Sequence, residues 1–268
     1  FARDPYERRR ADAALAARGL WPSLQRLLSG ARILDPACGS GSFLVGMLQV
    51  LEDLQARASA HSGAGKQPPG GAARPGVSCP YGVDAAGWAV AIARARLWLQ
   101  LMGAAALEPA EPEAAELWAK ICRRIRRGDS LIDDSRSQLL QSTGDPDFST
   151  PSGVVASQGS NRVPFARNAA SRARAFDIVV GNPPYVRHER IRDPASRAHD
   201  RGSREQESYK ARVVRSVCAA WPRTFAPGPA QACPGWNLEG RTDLYVHFLL
   251  KSLAWLASAG TLCFVMSN

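Results

Sequence analysis

Long hydrophobic runs are missing from this chain. Its longest uncharged apolar stretch, residues 253–266, is 14 residues long and is interrupted by Ser258, Gly260 and Thr261. A membrane helix needs roughly 18–20 apolar residues, so no membrane span is expected. No charged-then-apolar segment of the secretory type opens the sequence. Lysine is scarce, four of the 34 basic residues, and arginine carries the rest of the positive charge. Metal-type spacings are lacking too. The six cysteines, at 38, 79, 122, 218, 233 and 263, form no CxxC pair, and none of the four histidines stands near them at ligand spacing. That pattern predicts reduced thiols and a cytoplasmic location, with neither a disulfide framework nor a zinc site.

What is present is enough for a folded core. Hydrophobic residues make up 45% and charged residues 22% of 268 positions, which fits one large domain or one domain plus part of another. The net charge of +10 is uneven: residues 161–224 hold fourteen Lys or Arg against six Asp or Glu. A basic excess gathered in one quarter of the chain is what a nucleic-acid-facing surface requires. The sequence begins at Phe1 rather than Met and stops at Asn268 just past an apolar run, and so reads as a fragment.

Periodicity gives helix over most of the first thirty residues, then a short apolar run ending at Asp35, a glycine turn, and a helix over 43–57. Residues 58–76 are Gly, Pro, Ala and Ser without period and read as a surface insertion. A strand over 77–83 ends at Asp84, a helix follows over 87–101, and another over 111–124 leads through 125–128 to Asp129. Residues 133–175 read as a second long loop. A strand over 176–180 ends in Gly-Asn-Pro-Pro, the basic segment runs to about Arg223, and a Pro/Gly-rich loop reaches Gly240. A helix over 242–258 and a strand over 261–266 close the chain. Strands alternating with helices, without hairpin turns, predict an α/β fold with a doubly wound, mostly parallel sheet. Its ligands bind at the carboxyl ends of the strands, where Asp35, Asp84, Asp129 and Asn182 all fall.

The glycine turn, Asp35-Pro36-Ala37-Cys38-Gly39-Ser40-Gly41-Ser42-Phe43, does not fit two familiar patterns. The dinucleotide fingerprint GxGxxG fails because its sixth position is Leu44. The phosphate-loop pattern fails at Gly65-Lys66, which Gln67 follows and which has Ala60 five places before it. Asp35 beside the turn would repel a pyrophosphate but suits a cationic ligand such as S-adenosylmethionine, which carries a sulfonium and an ammonium. Asp84 suits a ribose, whose two hydroxyls one carboxylate can accept. It stands 43 residues past Gly41, or 24 once the nineteen residues 58–76 are set aside.

The second motif is Asn182-Pro183-Pro184-Tyr185. Two prolines stiffen the backbone and remove two amide donors. An Asn side-chain oxygen and a Pro carbonyl can then hold an exocyclic amine by both hydrogens, with Tyr185 stacking on the ring.

DPACGSGSFL, YGVDAA, RGDSL, FDIVVGNPPYVRHE and DLYVHFLLKSLAWLASAGTLCFVMSN, in this order, resemble the motifs of adenine-specific (N6) DNA amino-methyltransferases of the gamma class. They are most similar to the methylase part of type IIG restriction-modification and phage-exclusion enzymes. The resemblance spans residues 31–268 apart from the two insertions and implies a Rossmann-like, S-adenosylmethionine-dependent catalytic domain, preceded by a helical segment over 1–30. It also implies that Asp35, Pro36, Ala37, Cys38, Gly39, Gly41 and Phe43 surround the methionine part of the cofactor. Asp84 would take the ribose hydroxyls, Asp129 the adenine amine of the cofactor, and Asn182 would adjoin it. Asn182, Pro183, Pro184 and Tyr185 would clamp a flipped adenine in double-stranded DNA, without a metal. Arg187, Arg190, Arg192, Arg197, Arg201 and Arg204 are the expected phosphate contacts. A restriction nuclease or defence-system proteins, fused or associated, are possible partners. The resemblance departs in lacking an upstream Tyr-Thr-Pro or Phe-Thr-Pro element, the last two strands, a second aromatic wall for the base and a target recognition domain. Two other readings stay open: an amino methyltransferase acting on RNA or a protein glutamine, and a catalytically silent DNA-binding subunit.

Overall fold

Apolar runs, each broken by Asp, Gly or Arg, become five strands among the described residues. They are β1 (Ile33–Asp35), β2 (Tyr81–Asp84), β3 (Ile125–Arg127), β4 (Phe176–Gly181) and the longer β5 (Leu256–Phe264). The computed structural model describes residues 4–61, 79–105, 107–132, 176–194, 208–221, 224, 238 and 242–266. The strands form one sheet in the order β3-β2-β1-β4-β5, and every pairing is parallel. The order reverses between β1 and β4, which is the switch point of a doubly wound fold. The expected α/β class is therefore the observed one.

The helices are α1 (Pro5–Ala17), α2 (Trp21–Gly30), α3 (Ser42–His61), α4 (Gly87–Ala105), α5 (Pro112–Arg124), α6 (Tyr209–Ala220) and α7 (Leu244–Trp255). Alternation along the central strands separates two faces. Ile33 and Val180 pack with Leu28 of α2 and Leu51 of α3. Their neighbours Leu34 and Val179 pack with Tyr81 and Trp255 of α7. A third cluster joins Leu44 and Leu48 of α3 to Val90, Ala93 and Leu97 of α4 and Ile121 of α5. Helix α1 buries no residue. It is held instead by charge, Arg57 of α3 pairing with Asp12 and Arg8 with Asp53.

Four sequence expectations change. Helix α3 runs four residues past its expected end because Ala58 is fully buried and His61 stacks on Trp21 at 4.8 Å. The expected insertion is thus helical at 58–61, and the rest of it, 62–76, lies outside the described residues, as does the loop expected over 133–175. The basic segment contains a helix, α6, because Val213 and Val217 are buried one turn apart. The last helix ends at Trp255 rather than 258, and β5 begins at once, with a register irregularity between Phe176 and Ile178 of its partner. The chain between 225 and 237 is outside the described residues.

Candidate active site

The carboxyl ends of β1 and β4 meet at the switch point, and the site is built there. The turn after β1 needs glycine, since Gly39 and Gly41 have φ of 51° and 82°, the left-handed region. It is pinned from several sides. The Gly39 N–H donates to Asp84 Oδ2 at 2.9 Å, the Cys38 N–H to the Val83 carbonyl at 2.9 Å, and the Ser130 hydroxyl to the Pro36 carbonyl at 2.6 Å. Arg96 of α4 donates to Ser42 Oγ at 2.9 Å and to the Ser40 carbonyl at 3.1 Å. Among the described residues other than its chain neighbours, no heavy atom lies within 4 Å of where a Gly39 side chain would begin, so they leave that face of the turn open.

Asp35 is 1% exposed and accepts the Ala37 N–H at 3.0 Å. Burial pushes its carboxyl up to about 7, the Ala37 amide opposes the rise, and the charge of Asp84 adds to it. A buried acid with a raised pKa stabilises the fold fully below its ordinary value near 4, and that contribution is lost as pH rises through about 7. Asp35→Asn is therefore expected to gain stability relative to wild type as pH rises from about 4 to about 7, read from urea unfolding midpoints of both proteins across that range. A pH-independent difference would contradict it. A cation beside Asp35 would favour the ionised form and lower this pKa.

The other acids are placed at the strand ends as expected. Asp84 Oδ1 accepts the Ala86 N–H at 2.8 Å, so the same side chain braces the glycine turn and the start of α4. Asp129 Oδ1 accepts the Leu131 N–H at 2.9 Å. Cys38 is buried, and burial, then the charges of Asp35 and Asp84, push its thiol far above the ordinary range. It is a packing group, its Sγ set 3.8 Å from the Gly39 carbonyl of the turn. The Phe43 ring packs beside Leu28, Ile33 and Leu51. Among the described residues, no group of three or more His, Cys, Asp or Glu side chains could hold a metal ion.

The second motif leaves β4 through Gly181. A side chain at Gly181 would begin 2.7 Å from Asp35 Oδ1, so only glycine lets the two strand ends come this close. Pro183 is buried, while Asn182, Pro184 and Tyr185 are exposed. The Tyr185 hydroxyl lies 2.8 Å from Asn182 Oδ1 and 2.6 Å from the Val265 carbonyl, two acceptors for one donor. The Pro184 carbonyl accepts the Val186 N–H at 3.1 Å. Beyond the motif, the His188 N–H donates to Asp243 Oδ1 at 2.9 Å, and the Leu244 N–H to the Val186 carbonyl at 2.9 Å. The segment after Tyr185 is thus tied to the start of α7.

Two residues outside the expected set join the site. Tyr245 of α7 stands beside Tyr185 with ring centroids 6.2 Å apart. Tyr209 of α6 donates to Asp129 Oδ2 at 2.6 Å. Tyr245 falls in the helix expected over 242–258, while no sequence signal marked Tyr209. Arg187, Arg190 and Arg192 are exposed just past the Asn-Pro-Pro-Tyr motif, whereas Arg197, Arg201 and Arg204 lie outside the described residues.

Comparison with known proteins finds two related sequences. Over 159 residues the chain is 29% identical to the adenine-specific methyltransferase PglX of Streptomyces coelicolor, an overlap covering 58% of this chain and 12% of that relative. The chain therefore spans about an eighth of the length of that protein. Residues 78–215, just over half of the chain, match the Eco57I restriction-modification methylase family. The stretch includes Asp84, Asp129 and the whole Asn-Pro-Pro-Tyr motif, and the chain belongs to the Eco57I restriction-modification methylase family.

Proposed function

We propose that this chain carries the catalytic site of an adenine-specific DNA methyltransferase, moving a methyl group from S-adenosylmethionine to N6 of an adenine turned out of the double helix. The observation that carries the reading is the close approach of the glycine turn and the Asn-Pro-Pro-Tyr segment, joined where Gly181 passes Asp35. S-adenosylmethionine supplies an already activated methyl group when bound, so positioning accounts for much of the catalysis and no metal is needed. Asp35, Pro36, Ala37, Gly39 and Gly41, with the Cys38 backbone and Phe43 beneath, are the residues for its methionine part. Asp84 is the residue for its ribose, and Asp129 with Asn182 for its adenine.

The adenine amine is a poor nucleophile because its lone pair is delocalised into the ring. Asn182 Oδ1 and a proline carbonyl accept both its hydrogens, which localises that pair on nitrogen. With the Pro184 carbonyl engaged by Val186, the Pro183 carbonyl is the second acceptor. Tyr185 supplies the stacking face. Unpairing and extruding the base costs a few kcal/mol. The exposed Arg187, Arg190 and Arg192 meet backbone phosphates, together with Arg197, Arg201 and Arg204. Replacing the first three with Ala should flatten the slope of log affinity against log salt by about 0.9 for each phosphate left without its arginine. An unchanged slope would reduce them to a solvated basic loop. A restriction nuclease or other defence proteins, fused or associated, are the partners this reading implies.

The direct test is methyl transfer to unmodified DNA, digested to nucleosides and analysed by mass spectrometry, with N6-methyladenine expected. Methylcytosine alone, or label only in RNA or protein, would overturn the reading. By calorimetry, Asp84→Ala should weaken S-adenosylmethionine binding about tenfold or more, the loss of hydrogen bonds to a charged group. Equal binding by both proteins would remove the ribose assignment.

A further inference from the structure

We propose that Arg96 is a positioning residue for the cofactor: from helix α4 it holds the glycine turn in the shape that receives the methionine part of S-adenosylmethionine. The inference rests on the cofactor reading given above. Helix α4 has two charged residues among nineteen, Arg94 and Arg96, and each reaches away from the helix to another part of the fold. Arg94 donates to the Ile125 carbonyl at 2.9 Å and to the Cys122 carbonyl at 3.3 Å, joining α4 to the end of α5. Arg96 reaches the glycine turn instead. Its Nη1 donates to Ser42 Oγ at 2.9 Å, to the Ser40 carbonyl at 3.1 Å and, more weakly, to Ser40 Oγ at 3.4 Å.

These contacts bracket Gly41. One turn earlier on α4, Ala93 packs against Gly41 itself, where a side chain would begin 3.0 Å from Ala93 Cβ. Helix α4 therefore grips residues 40, 41 and 42 in succession, by bonds on the outer two and packing on the middle one. The other flank of the turn is held by β2, through the Val83 carbonyl on the Cys38 N–H and Asp84 on the Gly39 N–H. Between these anchors lie the two glycines of positive φ, the residue type that leaves a backbone freest to change shape. The bonds of Arg96 do little for helix α3. That helix starts at Ser42, and a cation beside the positive end of a helix dipole is unfavourable. What the arginine secures is the path of the turn. A turn free to sample other paths has to be ordered as its ligand binds, and that cost shows as lost affinity.

The test compares wild type with Arg96→Met, which keeps an apolar stem and has no donor. Hydrogen exchange without ligand, read by mass spectrometry, should speed about three- to tenfold at the Cys38, Gly39 and Gly41 amides and stay unchanged in β1 and β2. S-adenosylhomocysteine, which has the same amino-acid part as the cofactor, should bind about three- to tenfold more weakly by calorimetry. The urea midpoint should stay at the wild-type value. Faster exchange throughout the sheet with a lower midpoint would give Arg96 a role in the fold as a whole and overturn the proposal. Unchanged exchange at the turn overturns it too, as does a looser turn with undiminished affinity. All three results spare the cofactor reading while wild type binds the ligand. Wild-type protein that does not bind S-adenosylhomocysteine removes the cofactor reading and this inference together.

Discussion

Asn182→Ala is expected to lower methyl transfer by about two to three orders of magnitude, the usual cost of losing one preorganised hydrogen-bonding group at a reacting atom. Cofactor affinity should change much less, because the turn, Asp35 and Asp84 are held by bonds that Asn182 does not make. Single-turnover transfer measured beside calorimetric cofactor binding separates the two effects. A matched loss in both would mean that Asn182 acts mainly through the cofactor's adenine and not on the target amine. Tyr185 refines the test. Its hydroxyl touches Asn182 Oδ1, so Tyr185→Phe keeps the stacking ring and removes one tether on that oxygen. Transfer should fall by less than about tenfold in that variant, while Tyr185→Ala should lose most of it.

Gly41→Ala should give the largest loss of stability. The residue has φ of +82°, and a side chain there would begin 3.0 Å from Ala93 Cβ and 3.1 Å from Ala93 Cα. Neither neighbour can swing away, since Ala93 is fully buried in α4 and one of the two atoms is backbone. A left-handed non-glycine residue costs about 1–2 kcal/mol, and overpacking adds about 1–3 kcal/mol. The expected total is about 2–5 kcal/mol, read from the urea midpoint at constant slope. Cofactor binding should fail as well, because the turn cannot keep its path while α3 and α4 move apart. A variant of wild-type stability would show that α4 gives way more easily than its packing implies.

The polar rim was legible because three of the strands announce their own ends. Ile33-Leu34 runs into Asp35, Tyr81-Gly82-Val83 into Asp84, and Val179-Val180 into Gly181-Asn182, so the polar rim could be read before any packing was known. Helix α6 was hidden by charge. Its buried pair Val213 and Val217 is flanked by Lys210, Arg212 and Arg215, and the stripe is too narrow to outweigh them in a composition count. Tyr209 and Tyr245 were illegible for another reason. Their places depend on how α6 and α7 pack beside strands distant in sequence, and no local pattern encodes that. The path of Gly181 past Asp35 is of the same kind. Its motif suggested a turn, while the reason for glycine lies 146 positions away.

The pairing of β1 with β4 also has a consequence in time. Ile33 sits opposite Ile178, and the Arg32 N–H donates to the Asp177 side chain at 2.8 Å, across 145 positions. At roughly 5–20 residues per second of synthesis, the glycine turn waits about 7–30 s for the strand that completes its site. Pairings this far apart in sequence also slow folding after release, because the loop between them must close first. During that interval β1 has one edge without its partner, and the chain carries half of the proposed site on an incomplete sheet. Conditions that lengthen the wait, such as slow translation, should act on the yield of folded protein rather than on the properties of each folded molecule.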